Sequence, residues 1–156
     1  MTLDRDKLLA ELNSAISTRG DRRLAFEKVA VILRRSGSYR WVGLYDVDRR
    51  AGVVVIAAWS GIGAPQYPRF PATQGLTGAA ITARKTVNVG DVTADPRYLT
   101  TFATTRSEII VPVFDMQREN VIGTIDIESE HSEAFSEDVR ALLEACAELI
   151  RPLWQR

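Results

Sequence analysis

The segment that decides the fold runs from Arg106 to Ser129. It reads Arg-Ser-Glu-Ile-Ile-Val-Pro-Val-Phe at 106–114, then a polar connector, then Val-Ile-Gly-Thr-Ile-Asp-Ile-Glu-Ser at 121–129. Two apolar runs flanking a short polar stretch predict a β-hairpin. Side chains alternate between the two faces of a strand. Glu108, Ile110 and Pro112 therefore share one face of the first strand, and Ile122, Thr124, Asp126 and Glu128 share one face of the second. A turn centred near Gln117 sets Glu108 opposite Asp126; a slip of one residue sets it opposite Glu128. Either register collects three acids on one face, and like charges facing each other across a sheet destabilise it. The face calls for a compensating cation, which is a side chain or a ligand. Arg106 on the same face is the side-chain candidate, and Pro112 marks a point where a bulge would change the parity.

Upstream, Asp4 to Ser17 predicts a helix with Leu8, Leu9, Leu12, Ala15 and Ile16 on one side, broken at Gly20. Asp21 is placed to cap a second helix that turns Phe26, Val29, Ala30 and Leu33 inward and stops at Gly37. Arg40 to Val47 and Gly52 to Trp59 read as two strands joined at Asp48 to Ala51. The run Val53 to Ala58 is apolar on both faces and predicts a strand covered on both sides. Ser60 to Pro71 reads as loop, Gly75 to Arg84 as a short helix of small residues, and Thr86 to Val89 as a short strand. Gly90 to Thr105 has no period, and an aperiodic stretch of that length inside a compact domain is usually functional or mobile. Ser136 caps a last helix, with Glu137 and Asp138 near its positive end. Its inward stripe is Val139, Leu142, Leu143, Cys146, Leu149, Ile150 and Leu153.

This order predicts an α+β fold: an antiparallel sheet with the terminal helices on one face, and loops plus a short helix over a pocket on the other. The expected organisation is one domain over residues 1–156, with the N-terminal helices in 1–37 and the sheet, pocket loops and last helix in 38–156. Lys+Arg and Asp+Glu both number 20, so no global charge draws the chain to nucleic acid or an anionic membrane. No apolar run is long enough to span a bilayer, and the charged start at Met1 to Ala10 is not a signal peptide. A cytoplasmic location is the default expectation. The single cysteine permits neither an intrachain disulfide nor a cysteine-rich metal site, and no metal or other cofactor is expected. His131 sits in a polar run without partner ligands at usable spacing, and no Gly-Lys-Ser/Thr follows the glycines at 61–78 to make a phosphate loop.

The segments resemble a GAF domain and, within that superfamily, the free methionine-(R)-sulfoxide reductases, from about Tyr39 to the last helix. The resemblance rests on Arg-Trp-Val-Gly-Leu-Tyr at 40–45, Gly-Leu-Thr-Gly-Ala-Ala at 75–80, and Val-Gly-Asp-Val with Asp95-Pro96 at 89–96. It continues with Ser-Glu-Ile-Ile-Val-Pro at 107–112 and Ile-Gly-Thr-Ile-Asp-Ile-Glu-Ser at 122–129. It implies a substrate pocket built from Trp41, Tyr45, Glu108, Asp126 and Glu128, the last standing where the family usually has aspartate. It also implies cysteines at three positions that here hold Tyr67, Thr77 and Thr101, the last being the attacking thiol's place. Threonine cannot form the sulfenic acid and disulfide intermediates that such a reduction requires. Cys146 lies on an inward stripe, where a thiol behaves as a small hydrophobe.

The expectation is therefore a non-catalytic binding or sensing module for an amine- or amino-acid-like small molecule. Its ligand site comprises Trp41, Tyr45, Glu108, Asp126, Glu128, Thr77 and Thr101. Aromatic faces with carboxylates suit an ammonium group. The alternatives are a diverged reductase, or other chemistry at Thr101 or Thr77, and a dimerisation scaffold without ligand. Many GAF domains pair through their terminal helices, and Leu149, Ile150, Leu153 and Trp154 suggest apolar surface for a homodimer.

Overall fold

The computed structural model describes residues 4–17 and 20–155; Met1 to Leu3 of the polar start and part of the α1–α2 break lie outside the described residues. Helices α1 (Arg5–Ser17) and α2 (Arg22–Ser36) lead into strands β1 (Trp41–Asp48), β2 (Val53–Gly61) and β3 (Arg69–Pro71). Helix α3 (Gly75–Ala83), β4 (Val87–Val89), β5 (Ser107–Phe114), β6 (Val121–Ser129) and α4 (Glu137–Ile150) complete the chain, with a 3₁₀ turn at Arg151–Gln155. Local chemistry sets the helix starts. The Asp21 carboxylate accepts from the Arg23 N–H at 2.9 Å, and the Ser136 hydroxyl accepts from the Val139 N–H at 3.3 Å. Each satisfies a donor that the first turn would leave unpaired.

The strands form one antiparallel sheet in the order β3-β2-β1-β6-β5-β4. The β5–β6 hairpin takes the slipped register: Glu108 pairs with Glu128, and Ile110 with Asp126. Pro112 stays in the ladder opposite Thr124, and the irregularity falls one step later, between Val113 and Phe114. The acids lie on the regular side of it, so their shared face survives. Ile122 lies beyond it and packs against the helix-side core instead of sharing the acids' face.

Helices α2 and α4 cover one sheet face, and α1 packs across the two helices. Val42 and Leu44 of β1, Ile109 and Val111 of β5, and Ile125 and Ile127 of β6 are fully buried there. Residues of opposite parity, Trp41 and Tyr45 among them, point to the other face under α3 and the β4–β5 loop. Cys146 belongs to the helix-side core, where burial pushes its thiol up to about 12.

Three expectations change. The apolar run in β2 is only half-buried at Val53, Val55, Ile56 and Ala57: α2 packs on one face of the strand, but β2 lies next to the sheet edge, beside the three-residue β3. The Ser60 to Pro71 stretch is not all loop: β2 runs on to Gly61, and Arg69–Pro71 pairs with Val53–Val55. The apolar end of α4 is not a free surface. Ile150 and Leu153 are fully buried, and the Trp154 indole turns back onto the fold, donating its N–H to the Tyr45 carbonyl at 3.0 Å. Trp154 also meets Phe26 edge-on at 4.8 Å. The tight 3₁₀ turn after Ile150 swings these side chains inward. Among the described residues no helix is long and apolar enough to cross a membrane.

Trp154 lies over Gly123 so closely that a Cβ there would enter its ring. Gly123→Ala should displace Trp154 and lower stability by roughly 1–3 kcal/mol in urea unfolding. In the Trp154→Ala background the same change should cost much less, because the clash is gone.

Candidate functional site

The second sheet face is built around a missing side chain. Gly43 sits between Trp41 and Tyr45 on β1 and pairs with Asp126 on β6. A Cβ at 43 would run into the Trp41 ring and touch Tyr45, so glycine lets both aromatics close over the strand directly opposite the acid. Trp41 pairs with Glu128 in the same register, and Glu128 pairs with Glu108 of β5. Two adjacent strands, β5 and β6, thus deliver Glu108, Asp126 and Glu128 to one spot, where a carboxylate oxygen of each lies within 4.8 Å of the others. All three residues are buried, at 6%, 7% and 0% exposure.

Among the described residues no side-chain cation balances them. Arg106 is exposed and acts on Asp91, not on the acids, because the chain bends into the long loop before position 107. Arg40 contributes weakly to Glu128 while its guanidinium pairs with Glu130 at 3.0 Å. The consequence is protonation. Burial raises Glu108 well above the carboxylate range, and the charges of Asp126 and Glu128 raise it further. Burial pushes Asp126 up to about 8, opposed by a hydrogen bond with Glu108 and reinforced by the charge on Glu128. That bond needs a protonated Glu108 to donate. The other Asp126 oxygen, Oδ1, is buried and has no hydrogen-bond partner among the described residues.

Glu128 is treated differently. The Tyr98 hydroxyl donates to its Oε1 at 3.1 Å, and the Thr101 hydroxyl lies 2.9 and 2.8 Å from its two oxygens. Burial raises Glu128, and these hydroxyls hold it back. They also pin the aperiodic 90–105 loop onto the sheet. Within that loop Phe102 packs on Trp41 at 5.9 Å, and Leu99 fits against Gly75 at the start of α3, where φ is +68° and a Cβ would meet the leucine.

Between loop, α3 and sheet lies a cavity of about 30 Å³. Glu108 and Asp126 form its acidic floor, Tyr45 and Phe70 its aromatic side, and Thr77 and Thr101 border it. Tyr67 reaches its mouth and is 37% exposed. Five of the seven site residues expected from the sequence therefore meet here. Trp41 and Glu128 do not line the cavity. Trp41 is packed under Phe102 with its indole N–H given to the Gly63 carbonyl at 3.0 Å, and Glu128 is sealed behind Thr101 and Tyr98. Tyr98 was invisible to periodicity, because it lies in the loop without a period; only the closed loop brings its hydroxyl to Glu128. His131 is exposed and away from the cavity, with its carbonyl accepting from the Ser107 hydroxyl.

The spacing of the three acids would also suit a divalent ion. Hard cations need six or more oxygens, however, and the Glu128 oxygens are already engaged by hydroxyls. What remains open is a two-carboxyl cradle beside aromatic rings, a geometry suited to an ammonium group.

The GAF domain family model matches residues 21–151. The free methionine-R-sulfoxide reductase of Neisseria meningitidis, solved with its substrate, is 30% identical with a TM-score of 0.87, over 97% of this chain and 88% of that one. The type II enzyme of Thermoplasma acidophilum is also 30% identical, with a TM-score of 0.80 over 92% and 95% of the two chains. Among curated proteins, GAF domain-containing protein A of Dictyostelium discoideum is 26% identical over 132 residues, 85% of this chain and 80% of that protein.

A buried acid whose folded-state value is raised makes the folded state bind more protons than the unfolded one. Stability then falls as pH rises between the unfolded value near 4 and the folded value of about 8, and levels off above it. The ligand-free protein should show a lower unfolding temperature at pH 8.5 than at pH 5.5, by thermal scans at fixed ionic strength. Asp126→Asn should flatten that slope.

Proposed function

We propose that this chain, which belongs to the GAF domain family, is a non-catalytic binding or sensing module for a small molecule bearing an amine, an amino acid or a close analogue of one. The observation that carries this reading is the buried Asp126 Oδ1 without a partner, set beside Glu108 in a cavity walled by Tyr45 and Phe70. An orphaned buried acceptor is costly, and a donor that enters with a ligand removes the penalty. The likeness to two reductases of free methionine sulfoxide supports an amino-acid-sized ligand. Against catalysis of that kind stand Tyr67, Thr77 and Thr101 in place of thiols, and the position of Cys146 in the core on the opposite sheet face.

The cavity in its closed form holds little more than one or two waters. Admission of an amino acid requires the 95–105 segment to lift, breaking the hydroxyl contacts to Glu128 and the tilted Phe102–Trp41 ring contact. These are few and local, the property expected of a binding lid.

A thermal-shift and calorimetric panel of amino acids and amines, methionine-(R)-sulfoxide included, tests the reading. At least one amine should bind, and Glu108→Gln should weaken it by roughly tenfold or more, the loss of one charge-assisted hydrogen bond of about 1.5–3 kcal/mol. The same substitution should leave the fold intact and change ligand-free stability little, because it replaces one neutral hydrogen-bond donor to Asp126 with another. Thioredoxin- or dithiothreitol-dependent reduction of free methionine sulfoxide above the uncatalysed rate, lost in Cys146→Ser, is the result that would overturn the non-catalytic reading.

A further inference from the structure

We propose that the ligand-free site keeps a proton between Glu108 and Asp126, and that a primary ammonium group binds by taking the place of that proton, which leaves to solvent. This deepens the reading of the cavity as an amine site and rests on it. One positive charge enters as another departs, so the net charge buried between β5 and β6 does not change. That constraint matters because an uncompensated buried charge is strongly unfavourable.

The geometry carries the exchange. Glu108 and Asp126 come from adjacent strands, are more than nine-tenths buried, and border one cavity. Two carboxylates that close cannot both ionise without a cation between them. The Glu108–Asp126 hydrogen bond uses one Asp126 oxygen and leaves Oδ1 without a donor. A proton satisfies only part of this arrangement. A primary ammonium has three N–H donors and can serve both acids at once, whereas a quaternary ammonium carries the charge but no N–H and leaves Oδ1 orphaned.

No other group on the facing elements supplies the charge. From β1 comes the Tyr45 phenol, which burial and the three acids keep neutral. From β6 comes Glu128, fixed by the Thr101 and Tyr98 hydroxyls; from the loop comes Tyr98 itself, pushed up to about 12 by burial and the Glu128 charge. Arg40, at the start of β1, is committed to Glu130. Tyr67 stands at the mouth, and α3 presents Gln74, Leu76 and Thr77, none of them an acid or a base.

The probe is methylammonium chloride, the smallest primary ammonium ion with a carbon substituent, titrated at molar levels against sodium chloride of equal ionic strength. Binding is read from the NMR shifts of the backbone amides of Tyr45, Glu108 and Asp126. Below the value at which the acid pair gives up its proton, affinity should rise about tenfold for each pH unit, and it should flatten above that value. Tetramethylammonium should produce no saturable shift. In Glu108→Gln, and separately in Asp126→Asn, methylammonium binding should be weak and lose its pH dependence, so a folding failure of either variant leaves the other. Methylammonium binding whose affinity does not change across pH 5.5 to 8.5 overturns the proton exchange and leaves the amine reading standing. Absence of a saturable shift at every pH overturns both, and equal binding of tetramethylammonium overturns the requirement for N–H donors.

Discussion

Three carboxyls buried on one sheet face, with no cation beside them among the described residues, are the constraint around which the rest of this molecule is arranged. Glu108, Asp126 and Glu128 come from the adjacent strands β5 and β6, which form a hairpin, and β6 pairs in turn with β1. Their repulsion cannot be relieved by moving one strand without breaking the core on the other face, where Ile109, Val111, Ile125 and Ile127 are fully buried. The sheet is held by its apolar face, and the acidic face has to adjust by protonation, by hydroxyl donors, or by a ligand.

All three devices bear on the site. Glu128 is met by Thr101 and Tyr98, which ties the loop to the sheet. Burial and the neighbouring acids favour the protonated form of Glu108, which hydrogen-bonds to Asp126. Asp126 retains one oxygen that nothing among the described residues satisfies. This gradation from fully satisfied to unsatisfied runs toward the cavity, and it separates the structural acid from the two that face the space. Buried polar groups left without partners are uncommon in folded chains, and where one lies against a cavity it marks a position for something that enters.

The threonine at 101 illustrates how one scaffold changes its role. Resemblance places a reactive thiol at this position. Here a hydroxyl bonds to Glu128 and helps close the loop. A thiol is a weak donor and would hold the carboxylate less firmly. Under the proposed binding role, oxygen in place of sulfur gives up thiol chemistry and supplies a latch for the loop.

Much of this was legible in the sequence. Alternation in 107–113 and 123–129 placed the three acids on one face, because the pleat of a regular strand is a local property; only Ile122, at the bulge, departs from it. Asp21 and Ser136 announced two helix starts, because a cap is satisfied by donors two or three residues away. Other features were decided only in three dimensions. Which acid faces which depended on the hairpin register, fixed by a shift at Val113/Phe114 that composition does not encode. The exposure of Arg106, the burial of Trp41 beneath Phe102, the pairing of Arg69–Pro71 and the inward turn of Trp154 all involve partners distant along the chain. Periodicity reports which face a side chain takes, whereas the side chain's partner depends on which segments the whole fold brings together.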